Sequence, residues 1–221
     1  MMKKIIAVLV IFVCVGTALS AQISFSAGGG ALLDMSFGNG AKYKKDKDSM
    51  TFGTRNISFG AYGFFDVTYA EIDVSFAYGS LTDTYKENID GKKDSDSDKG
   101  GSLIQLGITL LGKYPINMGS LTVFPLAGIG YNIVLSMNDD KGDKVEWPDD
   151  HSAMKDLSQF AILAGGGLDF DITSNLYLRG SVLLQARFAN KAMRDSVKDA
   201  KDTKTTLGFG PVIKVGVGYR F

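Results

Sequence analysis

The sequence predicts an all-β chain: an eight-stranded antiparallel up-and-down transmembrane β-barrel, with four long loops at one end and three short turns at the other. Three observations predict it. Beyond residue 21, apolar and polar residues alternate with period two in eight segments, the behaviour of strands rather than helices. The connections between these segments alternate between short and long. The polar face of the alternation is crowded with glycine, which suits the cramped interior of a narrow closed sheet better than a surface facing water.

The start of the chain stands apart. Lys3 and Lys4 precede an unbroken apolar run over residues 5–15, followed by Gly16, Thr17, Ala18, Ser20 and Ala21. This is the layout of a secretory signal peptide over residues 1–21, cut at Ala21–Gln22 or one residue earlier. The run is shorter than the roughly 20 residues a spanning helix needs. Val13, where a lipoprotein would need a small residue, precedes Cys14. Cleavage removes the only cysteine, so the remaining domain, residues 22–221, is expected to hold no disulfide. No later segment approaches 18 consecutive apolar residues, so a membrane position requires a closed sheet. A formal net charge of +0 gives no electrostatic case for a nucleic-acid partner.

The first strand begins at Gln22, with Ile23, Phe25, Ala27, Gly29, Ala31, Leu33, Met35 and Phe37 on one face and only Leu32 breaking the polar row. The others follow over 56–69, 70–79, 102–116, 121–135, 159–172, 176–188 and 205–221. Tight turns fall at 69–70, 117–120 and 173–175, and long polar loops at 38–55, 80–101, 136–158 and 189–204. That asymmetry describes a bacterial outer-membrane barrel. Aromatic residues such as Phe37, Tyr78 and Phe188 near the loop ends, and Tyr69, Tyr114 and Tyr219 near the turn ends, sit where two membrane–water boundaries would place them. Two soluble folds share the alternation. A β-sandwich usually has shorter strands; a lipocalin-like barrel turns its apolar face inward.

Three stretches carry a family resemblance. VFPLAGIGYNI at 123–133, GGGLDFDITSNLYLRGSVLLQARF at 165–188 and the ending VGVGYRF at 215–221 resemble strands of the OmpA-, OmpX-, OmpW- and opacity-type small outer-membrane barrels. The resemblance implies outer-membrane lipid as surroundings. It also implies that the last strand, with Val217, Tyr219 and Phe221 at alternate positions, is the signal read by the barrel-assembly machinery. The family is functionally broad. Structural and surface contact, with adhesion to a host or extracellular ligand through the loops, is the leading expectation, and passive uptake of a small hydrophobic or polar solute is the alternative.

Strand parity sends Asp66, Glu71, Asp73, Asp169 and Asp171 inward, together with Lys113, Arg179, Arg187, Lys214 and Arg220. Unpaired buried charge is costly, so these are expected to pair across the lumen. With Tyr62, Phe64, Phe124, Leu126 and Tyr177 they either plug the interior or simply stabilise it. Leu32, Leu103, Leu163 and Leu183 also point inward. They either line a small apolar pocket, as resemblance to the OmpW-like branch implies, or pack beneath the loops.

Enzyme chemistry has little to stand on. The single histidine, His151, is followed by Ser152 in an acidic loop beside Trp147, several residues beyond the expected membrane boundary. Asp139, Asp140, Asp143, Asp149 and Asp150 crowd that loop, but the twelve-position calcium pattern with its closing glutamate is missing. No catalytic group, metal site or cofactor is therefore expected. In the fourth loop, Ala192, Met193, Ser196, Val197 and Ala200 stand near helical spacing.

Overall fold

The computed structural model describes residues 24–45, 48–145 and 156–221. The expected signal peptide, Trp147, Asp149, Asp150 and His151 lie outside the described residues. The strands are β1 (Phe25–Lys45), β2 (Asp48–Val67), β3 (Ala70–Ile89), β4 (Lys92–Lys113), β5 (Ile116–Met118), β6 (Leu121–Asn138), β7 (Gln159–Asp171), β8 (Leu176–Arg187), β9 (Thr203–Thr206) and β10 (Gly208–Arg220), and the helix α1 (Lys191–Val197) precedes β9.

Eight of these make a closed antiparallel wall in the order β1-β2-β3-β4-β6-β7-β8-β10, and β10 pairs back to β1 from Ser26↔Arg220 to Phe37↔Phe209. Closure leaves no free sheet edge in the wall, the condition a sheet must meet in hydrocarbon. The other two strands extend wall strands. β5 continues the line of β4 along β6 beyond Pro115, which lacks the N–H to carry the ladder through. β9 continues the line of β10 along the far part of β1.

The pleat sorts the side chains as the alternation predicts. Phe59, Leu184 and Val215 face outward and are each more than 60% exposed, whereas Tyr177 and Leu183 face inward and are fully buried. The apolar rows coat the outside, so neither soluble alternative describes this chain. Inside, the aromatic and aliphatic residues form separate clusters: Tyr62, Phe64, Leu32 and Tyr177 in one; Phe124, Leu126, Leu163 and Leu183 in another; Leu81, Leu103 and Val134 near the loop end.

The long connections differ from expectation. Residues 38–45, 48–55 and 80–101 are not irregular loops. The β1–β2 pairing continues to Lys45↔Asp48, and the β3–β4 pairing to Ile89↔Lys92. Asp90 and Gly91 close the second hairpin with φ of 49° and 80°, the two positive values that a type I′ turn requires. Outside a membrane both faces of a strand are wet, so apolar alternation does not mark these extensions. The Asp-Gly pair was the legible cue. In the fourth connection α1 forms, with the Asn190 side chain accepting a hydrogen bond from the Met193 N–H at 2.9 Å.

Glycine clears space for the large inward side chains. Gly218 on β10 lies opposite Tyr177, whose buried ring occupies the volume a Cβ would take. Replacing Gly218 with Val is expected to lower the unfolding free energy by about 1–3 kcal/mol, as overpacking does. Gly112→Ala, on the outer face where a Cβ would make only an ordinary contact with the Ala127 carbonyl oxygen at 3.6 Å, is expected to stay within about 0.5 kcal/mol. Urea unfolding of the detergent-solubilised barrel, followed by its far-ultraviolet signal, checks both.

Candidate functional site

The inward charges stack in four tiers along the barrel axis. Each is placed by register, because wall neighbours bring residues distant in sequence to one height. Asp66 pairs across the ladder with Glu71, and Asp169 with Arg179.

The central tier is built on Arg179. Its Nε and Nη2 donate to the two carboxylate oxygens of Asp169, both at 2.7 Å, a bidentate fork. Nη1 donates to Glu71 at 2.5 Å and Nη2 to Asp66 at 2.8 Å. Lys113 donates to the same Asp66 oxygen. The guanidinium lies 4.3 Å from the Phe64 ring centroid and 5.2 Å from those of Phe124 and Tyr177. Such a planar cation both forks onto carboxylates and stacks on rings, which lysine does not. The Tyr177 hydroxyl donates to Ser26 Oγ at 2.9 Å, tying this layer to β1.

On the turn side, Arg220 meets Asp171 at 2.6 Å and covers the Tyr177 ring at 4.5 Å, with both charged side chains partly open to solvent. On the loop side, Lys214 pairs with Asp73, its ammonium 5.4 Å from the Tyr62 centroid. The outermost tier joins Arg187 to Asp34. Gln185 bridges the two, donating to Asp34 and accepting from Arg187 Nε at 3.0 Å.

All ten charged residues singled out in the sequence therefore line the lumen, and each engages at least one partner of opposite charge. Sequence reasoning left Asp34 and Gln185 out of the network. Asp34 holds an even position in β1, the same inward row as Ser26 and Ser36, and that parity was enough to find it. With Asp34, six inward acids face five bases.

The four leucines do not form one apolar pocket, which corrects that expectation. Leu32 packs with Tyr62 and Phe64, Leu163 and Leu183 with Phe124 and Val212, and Leu103 with Leu81 and Val134. The strands stagger around the barrel, so similar inward positions fall at different heights, and polar side chains separate them.

Empty space is divided in the same way. A cavity of about 710 Å³ opens at the turn end against Asp66, Lys113, Asp171 and Arg220. One of about 230 Å³ lies at the loop end, between the amides of Asn39, Asn56 and Gln159 and the apolar Leu81, Leu103 and Val134. Between them a void of about 30 Å³, beside Leu32, Asp34, Leu163 and Lys214, holds no more than a water or two.

Outside the lumen, Val217, Tyr219 and Phe221 form an exposed outward row, with the last two rings 5.6 Å apart. In the third connection, Asp139 accepts hydrogen bonds from the N–H groups of Lys141 and Asp143 at 3.0 and 2.8 Å, an aspartate-capped turn. Among the described residues, no group of three or more His, Cys, Asp or Glu side chains is placed to hold a metal ion.

Wall and lumen together define a class: a closed eight-stranded antiparallel β-barrel with an apolar exterior and a filled, ion-paired interior. Among solved structures, the chain is similar to the Neisserial surface protein A, at 13% identity over 89% of this chain and 97% of that one, with a TM-score of 0.45. It is also similar to Ail, the attachment invasion locus protein of Yersinia pestis, in its complex with the heparin analogue sucrose octasulfate, at 15% identity over 91% and 100%, with a TM-score of 0.36. The translocator domain of the autotransporter NalP from Neisseria meningitidis matches at 11% over 99% and 96%, with a TM-score of 0.29. No family model and no curated protein matches. The barrel assignment stands on this chain's own ring of strand pairings.

Removing one partner of a buried pair strands the other. Arg179→Met leaves three carboxylates without their shared cation and is expected to cost about 3–5 kcal/mol. Arg220→Met breaks a partly solvated pair and is expected to cost under about 1 kcal/mol. Urea midpoints of the two variants, compared at equal detergent concentration, test this ordering.

Proposed function

We propose that this chain is an exported outer-membrane barrel, a non-enzymatic protein of structure and surface contact, with residues 1–21 as its secretory signal. The observation that carries the reading is the inversion of the usual globular order. Phe59, Phe76, Leu110, Ile162, Leu184 and Val215 stand exposed, while Asp73, Arg179, Arg187 and Lys214 are sealed inside. In water that exterior would be an apolar patch far larger than soluble monomers carry. In a bilayer it matches hydrocarbon, and the closed ring satisfies the backbone. The outward row of Val217, Tyr219 and Phe221 is proposed as the contact for the assembly machinery.

Contact with host or extracellular ligands is assigned to the hairpins β1–β2 and β3–β4 and to the connection around α1, which extend past the wall at the loop end. Passive transport is the weaker reading. The Arg179 and Lys214 tiers stand between the two end cavities, and eight-stranded walls leave room only for side chains or one small ligand.

Purified protein refolded in detergent is expected to run at different positions on a denaturing gel before and after boiling, and to float with lipid vesicles. Unchanged mobility together with failure to float sinks the membrane assignment. In planar bilayers the barrel is expected to give no large, steady conductance steps; such steps would restore the transport reading. Deleting residues 82–99 is expected to abolish surface adhesion while the heat-dependent mobility shift persists.

A further inference from the structure

The two projecting hairpins sort their charges by face. β2 and β3 pair without interruption from Ser49↔Asn88 to Val67↔Ala70, so the pleat parity of the wall carries into the extension. Inward parity there selects Met50, Phe52 and Thr54 on β2 and Asp83, Tyr85 and Glu87 on β3. Register brings Asp94, Asp96 and Asp98 of β4 into the same rows. Contacts agree with this: Phe52 and Tyr85 rings lie 4.9 Å apart, and Thr54 Oγ1 reaches Asp83 at 3.2 Å.

Outward parity selects the opposite sign. One row runs Lys204, Lys42, Thr51, Lys86, Ser95 across β9, β1, β2, β3 and β4. The row beyond it runs Lys44, Ser49, Asn88, Lys93, and the row nearest the wall runs Arg55, Thr82, Lys99. No acid stands at the strand positions of these outward rows; the nearest, Asp202 in the turn before β9, accepts the Lys44 N–H through its backbone carbonyl at 2.9 Å. All seven basic residues are exposed, and among the described residues none is ion-paired. A solvated surface has no reason to separate its signs in this way, since interspersed charges lower self-repulsion.

The height of the rows names the partner. Arg55 stacks 5.2 Å over the ring of Phe37, one of the outward aromatics at the loop end of the wall. Outward positions recur every second residue, about 7 Å along the strand. With a tilt of about 40° the Lys42 row therefore sits about 10 Å beyond Arg55. This face overlooks the headgroup layer of the leaflet that surrounds the barrel.

We infer that the outward face of the hairpin sheet is a docking surface for the phosphate-bearing headgroups of that leaflet. The lysines bridge phosphates around the barrel and hold the sheet upright against the membrane surface, while the acidic inner face is left to the solvent. The inference deepens the membrane reading above and rests on it.

Amine acylation, read lysine by lysine by mass spectrometry, tests it on barrel reconstituted in vesicles of phosphatidylcholine alone or mixed with lipid A. In lipid A vesicles at low salt, Lys42, Lys86 and Lys204 are expected to react roughly fivefold more slowly than in phosphatidylcholine. Lys45 and Lys92, on the inner face, are expected to react equally in both. About 1 M NaCl is expected to erase the protection. The triple variant Lys42→Gln, Lys86→Gln, Lys204→Gln is expected to fold and float normally yet retain less lipid A through detergent chromatography. Equal acylation in both vesicles, or undiminished lipid A on the variant, overturns the inference. Equal protection by soluble inositol hexakisphosphate in phosphatidylcholine vesicles also overturns it, assigning the face to a soluble polyanion instead. Protein that does not float at all fails the membrane reading itself, a distinguishable result.

Discussion

A sheet in hydrocarbon has to satisfy every backbone N–H and C=O from within, and here that constraint is met by the return of β10 to β1. Closing the ring at eight strands sets the rest. It makes the interior narrow, so the inward rows must mix glycine with a few large side chains, as Gly218 yields to Tyr177 and Gly167 to Phe124. It also turns the apolar rows outward, because those rows have no room inside.

The narrow interior then decides what happens to charge. A lone arginine at the centre of this lumen would be prohibitively costly to desolvate. Arg179 is tolerated because three carboxylates from β2, β3 and β7 and three flanking rings enclose it. The network joins strands that share no ladder. Glu71 and Asp169 lie on opposite parts of the wall, and Arg179 spans them. Ion pairs of this kind add less net stability than their distances suggest. Their clearer consequence is a filled cross-section, which separates the cavity at the turns from the one at the loops.

Beyond the wall the balance of forces changes. With water on both sides, neither face of a strand has to be apolar, and β1 to β4 run on as polar hairpins. Charge takes over the sorting that hydrophobicity performed below: the inner side carries the acids and the Phe52–Tyr85 pair, with Lys45 and Lys92 only at the hairpin tips, and the outer rows carry the other bases. One period-two pleat thus carries two different codes along the same strands.

The wall was legible in the sequence because its code is local. Alternation in 159–171 or 208–220 states which side each residue takes, whatever the partner strand turns out to be, and the ten inward charges followed from that parity. The same parity placed Asp34 inside, although its role became visible only once Arg187 and Gln185 were set across from it. Alternation does not carry height. Leu32, Leu103, Leu163 and Leu183 look equivalent along the chain, yet the stagger of neighbouring strands spreads them over three clusters. Nor does it carry the extension of β3 and β4, where solvent removes the apolar period and only Asp90–Gly91 marks the turn. What the sequence determined by itself was the side of the wall each residue takes, because pleating is a property of one strand. Which charges meet, and which rows line up above the membrane, were decided by register between strands, which exists only in the closed barrel.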